Sequence, residues 1–102
     1  MRVYEVTVEV EAGRAETFAR YMLAKHIPEI LATGCFACIR FERSGAGRFR
    51  TRYEAAEPKD LEHYMEAHTG RFRADFMAHF PEGCTASREV WDEVHVFTGA
   101  GS

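Results

Sequence analysis

Along this chain the hydrophobic period switches from two to about 3.6 and back, twice. That order of switches limits the possible folds more than any other feature of the sequence. The first stretch, Val3 to Glu11, reads V-Y-E-V-T-V-E-V-E. Tyr4, Val6, Val8 and Val10 share one face, and Glu5, Thr7 and Glu9 share the other, which predicts a strand. Gly13 breaks it. From Arg14 onward Ala15, Phe18, Ala19, Met22 and His26 recur at helical spacing, with Tyr21 beside them. Pro28 lacks an N–H, and its ring would clash with the Ala24 carbonyl, so the helix should kink or stop near His26. Pro28 can equally open a new short turn, closed by Gly34 in a left-handed conformation.

A second strand is expected from Cys35 to Arg43, a glycine-containing hairpin at "RSGAGR", and a third strand from Arg48 to Ala56. Pro58 then starts a helix with Leu61, Tyr64, Met65 and His68 on one face. Gly70 should break or bend it. Phe72, Phe76 and Phe80 continue at steps of four until Pro81. A last strand is expected from about Thr85 to Phe97, followed by a frayed tail at 98–102. The order strand, helix, strand, strand, helix, strand is the ferredoxin-like βαββαβ plan of the α+β class. It has a four-stranded antiparallel sheet with both helices on one face, here one domain over 1–97.

This plan leaves one sheet face uncovered. Alternation assigns it Glu5, Thr7 and Glu9, then Arg48, Arg50 and Arg52. It also receives Glu89, Trp91, Glu93 and His95, provided that Val90, Val94 and Val96 point to the core. Such a face is either a plain solvated surface or the seat of a homodimer enclosing a polar cavity. Trp91 among charges favours the dimer, with Glu5, Arg52, Trp91 and Glu93 as candidate interface residues.

The chemistry-bearing residues exclude more than they select. The chain has 102 residues, 46% of them hydrophobic, and a net charge of −3. No apolar run approaches the ~20 residues that span a bilayer, and "MRVYEVTVEV" lacks the apolar core of a signal peptide. A cytoplasmic protein is expected, with no membrane partner. "RFRTRY" interleaves basic and aromatic residues, but it lacks the glycines of an RNA-recognition strand and lies beside Glu5 and Glu9, so no nucleic-acid partner is expected. Cys35, Cys38 and Cys84 read as free thiols. Cys35 and Cys38, three apart on a strand, would face opposite ways. His63 and His68, five apart, would lie on different helical faces. Neither metal nor cofactor is therefore expected. No nucleophile elbow or phosphate loop is present, and no catalytic residue can be named. His26 is either a packing histidine or a group at a pocket mouth.

The segments "HIPEILATGCF", "LEHYMEAHTGRFRADFMAHF" and "ASREVW" resemble a bacterial domain-of-unknown-function family of the dimeric α/β-barrel superfamily. The resemblance runs from Val3 to about Val94. It implies a ferredoxin-like protomer pairing through its sheet face, and no established reaction. The wider superfamily contains cofactor-free monooxygenases, haem-degrading enzymes, muconolactone isomerases and stress-responsive proteins. Three functions stay open. One is a small-molecule pocket between sheet and helices, either a plain binding site or that of a cofactor-independent enzyme, with His26, Tyr21, Arg40, Tyr53 and His68 as candidate ligand contacts. Another is a non-catalytic interaction or regulatory dimer. The third is haem binding or degradation through His26 or His68.

Overall fold

The computed structural model describes residues 1–100. Strand β1 (Arg2–Val10) leads through a short 3-10 turn into α1 (Ala15–Tyr21). A π-helical turn (Met22–His26) joins α1 to α2 (Ile27–Leu31). Then follow β2 (Cys38–Ser44), β3 (Arg48–Ala55), α3 (Pro58–Ala67), α4 (Thr69–His79) and β4 (Cys84–Asp92). The antiparallel sheet has the order β2-β3-β1-β4. This is the expected ferredoxin-like α+β architecture. No described helix is long and apolar enough to cross a membrane. Of the tail expected at 98–102, residues 101–102 lie outside the described residues.

Pro28 shapes the first helical segment without ending it. The Ile27 N–H reaches back five residues to the Met22 carbonyl. This wider turn accommodates a ring that an unbroken α-helix would press onto the Ala24 carbonyl. Pro28 then sits in the first turn of α2, and Gly34 follows with φ +77°. The hairpin between β2 and β3 is pinned by a close approach. Gly47 accepts from Val10 N–H at 2.7 Å, and a Cβ on Gly47 would lie 2.4 Å from the Val10 carbonyl oxygen.

Three expected boundaries are corrected. The second strand starts at Cys38 and not Cys35, because residues 32–37 turn away from α2. Cys35 is therefore buried in a loop, and the opposite-faces argument for the two cysteines does not apply. The second long helix breaks at His68, two residues before Gly70. That break brings Tyr64 and Phe72 into a stack with centroids 6.2 Å apart. An unbroken helix would separate residues eight apart by about 12 Å along its axis. Finally, β4 ends at Asp92 and does not reach Phe97. Its partner β1 starts at Arg2, opposite Asp92, and only the Glu93 N–H bond to the Met1 carbonyl continues the pairing. Beyond that, Val94, Val96 and Phe97 are exposed, not core.

The core lies between the sheet and the helices in two adjoining clusters. Phe18, fully buried, anchors one against Phe41, Phe49, Phe76 and Phe80. Tyr4, Tyr53, Tyr64, Phe36 and Phe72 anchor the other. Partly buried Val6 packs against both.

Candidate functional site

A cavity of about 50 Å³ lies between the sheet and the helices. Its floor is Tyr4, Val6, Thr51 and Tyr53 of the central strands. Met22 and His26 come from the π turn, and Tyr64, Phe72, Arg73 and Phe76 come from the second helical pair. Arg88 bounds the cavity on the β4 side. It pairs with Val6 in register, so it occupies the inner face of β4. Both arginines are exposed, and Arg73 donates to the Tyr4 hydroxyl at 3.3 Å. The cavity is thus apolar inside and cationic at its rim.

His26 is placed by the π turn and held from behind by a relay. Tyr21 Oη donates to Asp75 Oδ2 at 2.7 Å and lies 3.1 Å from His26 Nδ1. Because the single phenol proton points to the carboxylate, Oη is an acceptor toward His26. The hydrogen-bond pattern therefore assigns the proton to Nδ1 and leaves the Nε2 lone pair free. Lys25 Nζ bridges Asp75 Oδ2 and Glu29. Burial lowers the His26 pKa from 6.5 to about 4, against the opposing pull of Asp75 and Glu29. Burial also raises the Tyr21 phenol far above its usual value, with the Asp75 bond second. The Tyr21 hydrogen bond holds Asp75 below the ordinary carboxylate range. At neutral pH the relay is a carboxylate, a phenol and a neutral imidazole. A ring nitrogen with a pKa near 4 is a weak base, so Nε2 is suited to accepting a hydrogen bond more than to abstracting a proton.

The family described as Domain of unknown function (DUF4286) matches residues 1–94. The chain belongs to this family. A candidate antibiotic biosynthesis monooxygenase from Deinococcus radiodurans superposes with a TM-score of 0.70 at 15% identity, over 99% of this chain and 100% of that one. A second, from Nitrosomonas europaea, gives 0.62 at 17% identity, over 93% and 100%. A de novo designed protein with a ferredoxin fold gives 0.51 at 17% identity, over 100% and 96%. These likenesses establish the ferredoxin-like fold. A comparison with functionally curated proteins gives no match.

This DUF4286 chain brings some of the expected site residues together and separates others. His26 and Tyr21 are in contact, and buried Tyr53 lines the same cavity. Arg40 is elsewhere. It pairs with Arg52 across the open sheet face and bonds Glu54 at 2.6 Å, because strand alternation turns it away from the helices. His68 is also not at the cavity, since the helix break turns it beside His63, with ring centroids 5.4 Å apart. The expectation that His63 and His68 diverge fails for the same reason.

On the open face Glu5 and Arg52 are paired in register, with the carboxylate 3.6 Å from Nε. That Nε is buried without a hydrogen-bond partner. Trp91 lies on the same face beside Val3 and is 51% exposed. Glu93 lies just past the end of β4. Arg73, Asp75 and Arg88 are at the site without having been expected there from the sequence. Arg88 carried a readable signal, since it is two residues before Val90 and so shares its face. Asp75 carried a weaker one, an acid interrupting the stripe of Phe72, Phe76 and Phe80.

Proposed function

We propose that this protein binds a small, mostly apolar molecule bearing a hydroxyl and an anionic group, in the cavity between sheet and helices. The single observation that carries the reading is a neutral His26, with Nε2 free, beside an apolar cavity whose rim holds Arg73 and Arg88. Nε2 accepts from the ligand hydroxyl, and an arginine binds the anion. A cavity of about 50 Å³ holds only a few waters, so a larger ligand extends outward along the uncovered inner face of β4, past Arg88. The two neighbours described as antibiotic biosynthesis monooxygenases make oxygenation of such a ligand the first activity to assay.

The protein works as a homodimer through the open sheet face. Half-exposed Trp91 and the unpartnered Arg52 Nε support this, since a second sheet laid over them supplies both an apolar cover and an acceptor. Three free thiols fit a reducing, cytoplasmic setting.

The test is a thermal-shift screen with hydroxylated aromatic and aliphatic carboxylates, using wild type, Arg88→Gln and His26→Phe. Ligands that raise the wild-type midpoint should act at least tenfold more weakly on both variants. A panel with no effect, or one that stabilises Arg88→Gln and His26→Phe equally well, would overturn the reading in favour of a non-catalytic interaction dimer.

A further inference from the structure

A second cluster lies outside the cavity, where the loop after α2 meets the junction of α3 and α4. Cys35, His63 and His68 each offer a donor atom there, and all three atoms lie within 4.8 Å of one another. The three residues come from three separate places in the fold. Cys35 is buried with a free thiol, His63 lies on the exposed side of α3, and His68 occupies the helix break. An independent observation points to a missing partner. His68 Nδ1 is buried and has no hydrogen-bond partner, although buried ring nitrogens are normally satisfied.

We infer that Cys35, His63 and His68 form a binding site for a zinc-type divalent cation. One soft sulfur and two imidazoles are the donor set that such borderline ions prefer. At metal–ligand lengths of about 2.0–2.3 Å, the edges of a tetrahedron are roughly 3.5 Å. The donors therefore need to close by no more than about 1.3 Å on binding, and the exposed His63 side chain can move toward the other two by changing rotamer. The Cys35 thiol loses its proton to solvent and binds as thiolate. Three protein ligands leave the fourth tetrahedral position to water on the His63 side. The ion ties residues 32–37 to the α3–α4 junction, next to Tyr64. Tyr64 packs 6.2 Å from His68 and also lines the cavity, so metal occupancy and the cavity wall share one side chain.

The full-length chain, stripped with a chelator, is titrated with Co(II) as a spectroscopic stand-in and then with Zn(II). The expected result is one Co(II) per chain with a thiolate-to-metal charge-transfer band, which Zn(II) abolishes. The band should vanish in Cys35→Ser and persist in Cys38→Ser. His63 is exposed, so His63→Ala keeps its fold even where Cys35→Ser does not. It should weaken binding by about a hundredfold or more, since loss of even an outer-shell partner costs 10–100-fold. No charge-transfer band in wild type, a band retained in folded Cys35→Ser, or unchanged affinity in His63→Ala each overturns the site.

Discussion

Acid should weaken this protein through His26, by an amount the structure sets. In the folded chain its pKa is about 4, against 6.5 for a free histidine, because burial penalises the imidazolium more than Asp75 and Glu29 favour it. The folded value is the lower one, so below pH 6.5 the unfolded chain binds a proton that the folded chain refuses. Stability is therefore intact above about pH 6.5 and falls as the pH drops toward 4. At 1.36 kcal/mol for each pH unit of separation, the full loss approaches ~3 kcal/mol, and about 2 kcal/mol of it is gone by pH ~5. Other charged and polar groups act on the ring. Asp75, Glu29, Lys25 and His79 all influence the ring electrostatically, and carboxylates elsewhere add their own acid response. The comparison that isolates His26 is urea unfolding of wild type against His26→Gln, which keeps a donor toward Tyr21 and cannot take up a proton. The stability difference between them should shift by ~2 kcal/mol in favour of Gln between pH ~7.5 and ~5. A difference that stays flat refutes a neutral, part-buried His26. A difference that moves in favour of histidine on acidification means that Asp75 outweighs burial, and the weak-base assignment fails with it.

Trp91→Ala should shift sedimentation toward monomer at micromolar concentration, since a central aromatic anchor is commonly worth ~2 kcal/mol or more; a wild type that sediments only as monomer removes the dimer reading. Phe18→Ala should cost ~3–5 kcal/mol in urea unfolding, because the ring is fully buried among four other phenylalanines; a loss under ~1 kcal/mol would mean that this cluster collapses freely around the cavity. Gly47→Ala should cost ~1–3 kcal/mol, because its Cβ meets a backbone oxygen and the Val10 N–H bond must break to relieve it; thermal melts checking this should show no such penalty for Gly13→Ala, where the space is open.

The periodic parts of this fold were legible in the sequence for a plain physical reason. Alternation in β1 and the four-residue steps of Phe72, Phe76 and Phe80 each report one buried face, and burial is what the sheet and helices share. Tyr4, Val8, Phe49, Tyr53 and Phe72 are buried where the periods put them. Pro28 and Gly34 marked the α2 turn because each has a conformational requirement that no neighbour can override. Strand ends were less legible, since they depend on the partner strand. Nothing in Val94 or Val96 says that β1 has already ended opposite Asp92. The face of Arg40 was not legible because it depends on the pairing of β2 with β3, which puts it on the open face opposite Arg52.

The two chemical sites differ in how sequence could have reported them, and one local event explains the difference. The His26 relay joins Tyr21 to Asp75 across 54 residues, yet each partner sits on a stripe whose direction is readable, so a charge inside an apolar stripe is a usable sign. The Cys35, His63 and His68 cluster has no such sign. On a continuous helix, residues five apart point about 140° away from each other, and the two imidazoles could never share a ligand. His68 leaves the helix at φ −126° and ψ −35°, and that single departure folds its ring back beside His63. The same departure lets Tyr64 stack on Phe72 and form one wall of the cavity. A backbone break two residues ahead of the glycine that announces it therefore builds both a cavity wall and a candidate metal site. Their coupling through Tyr64 follows from the shared geometry.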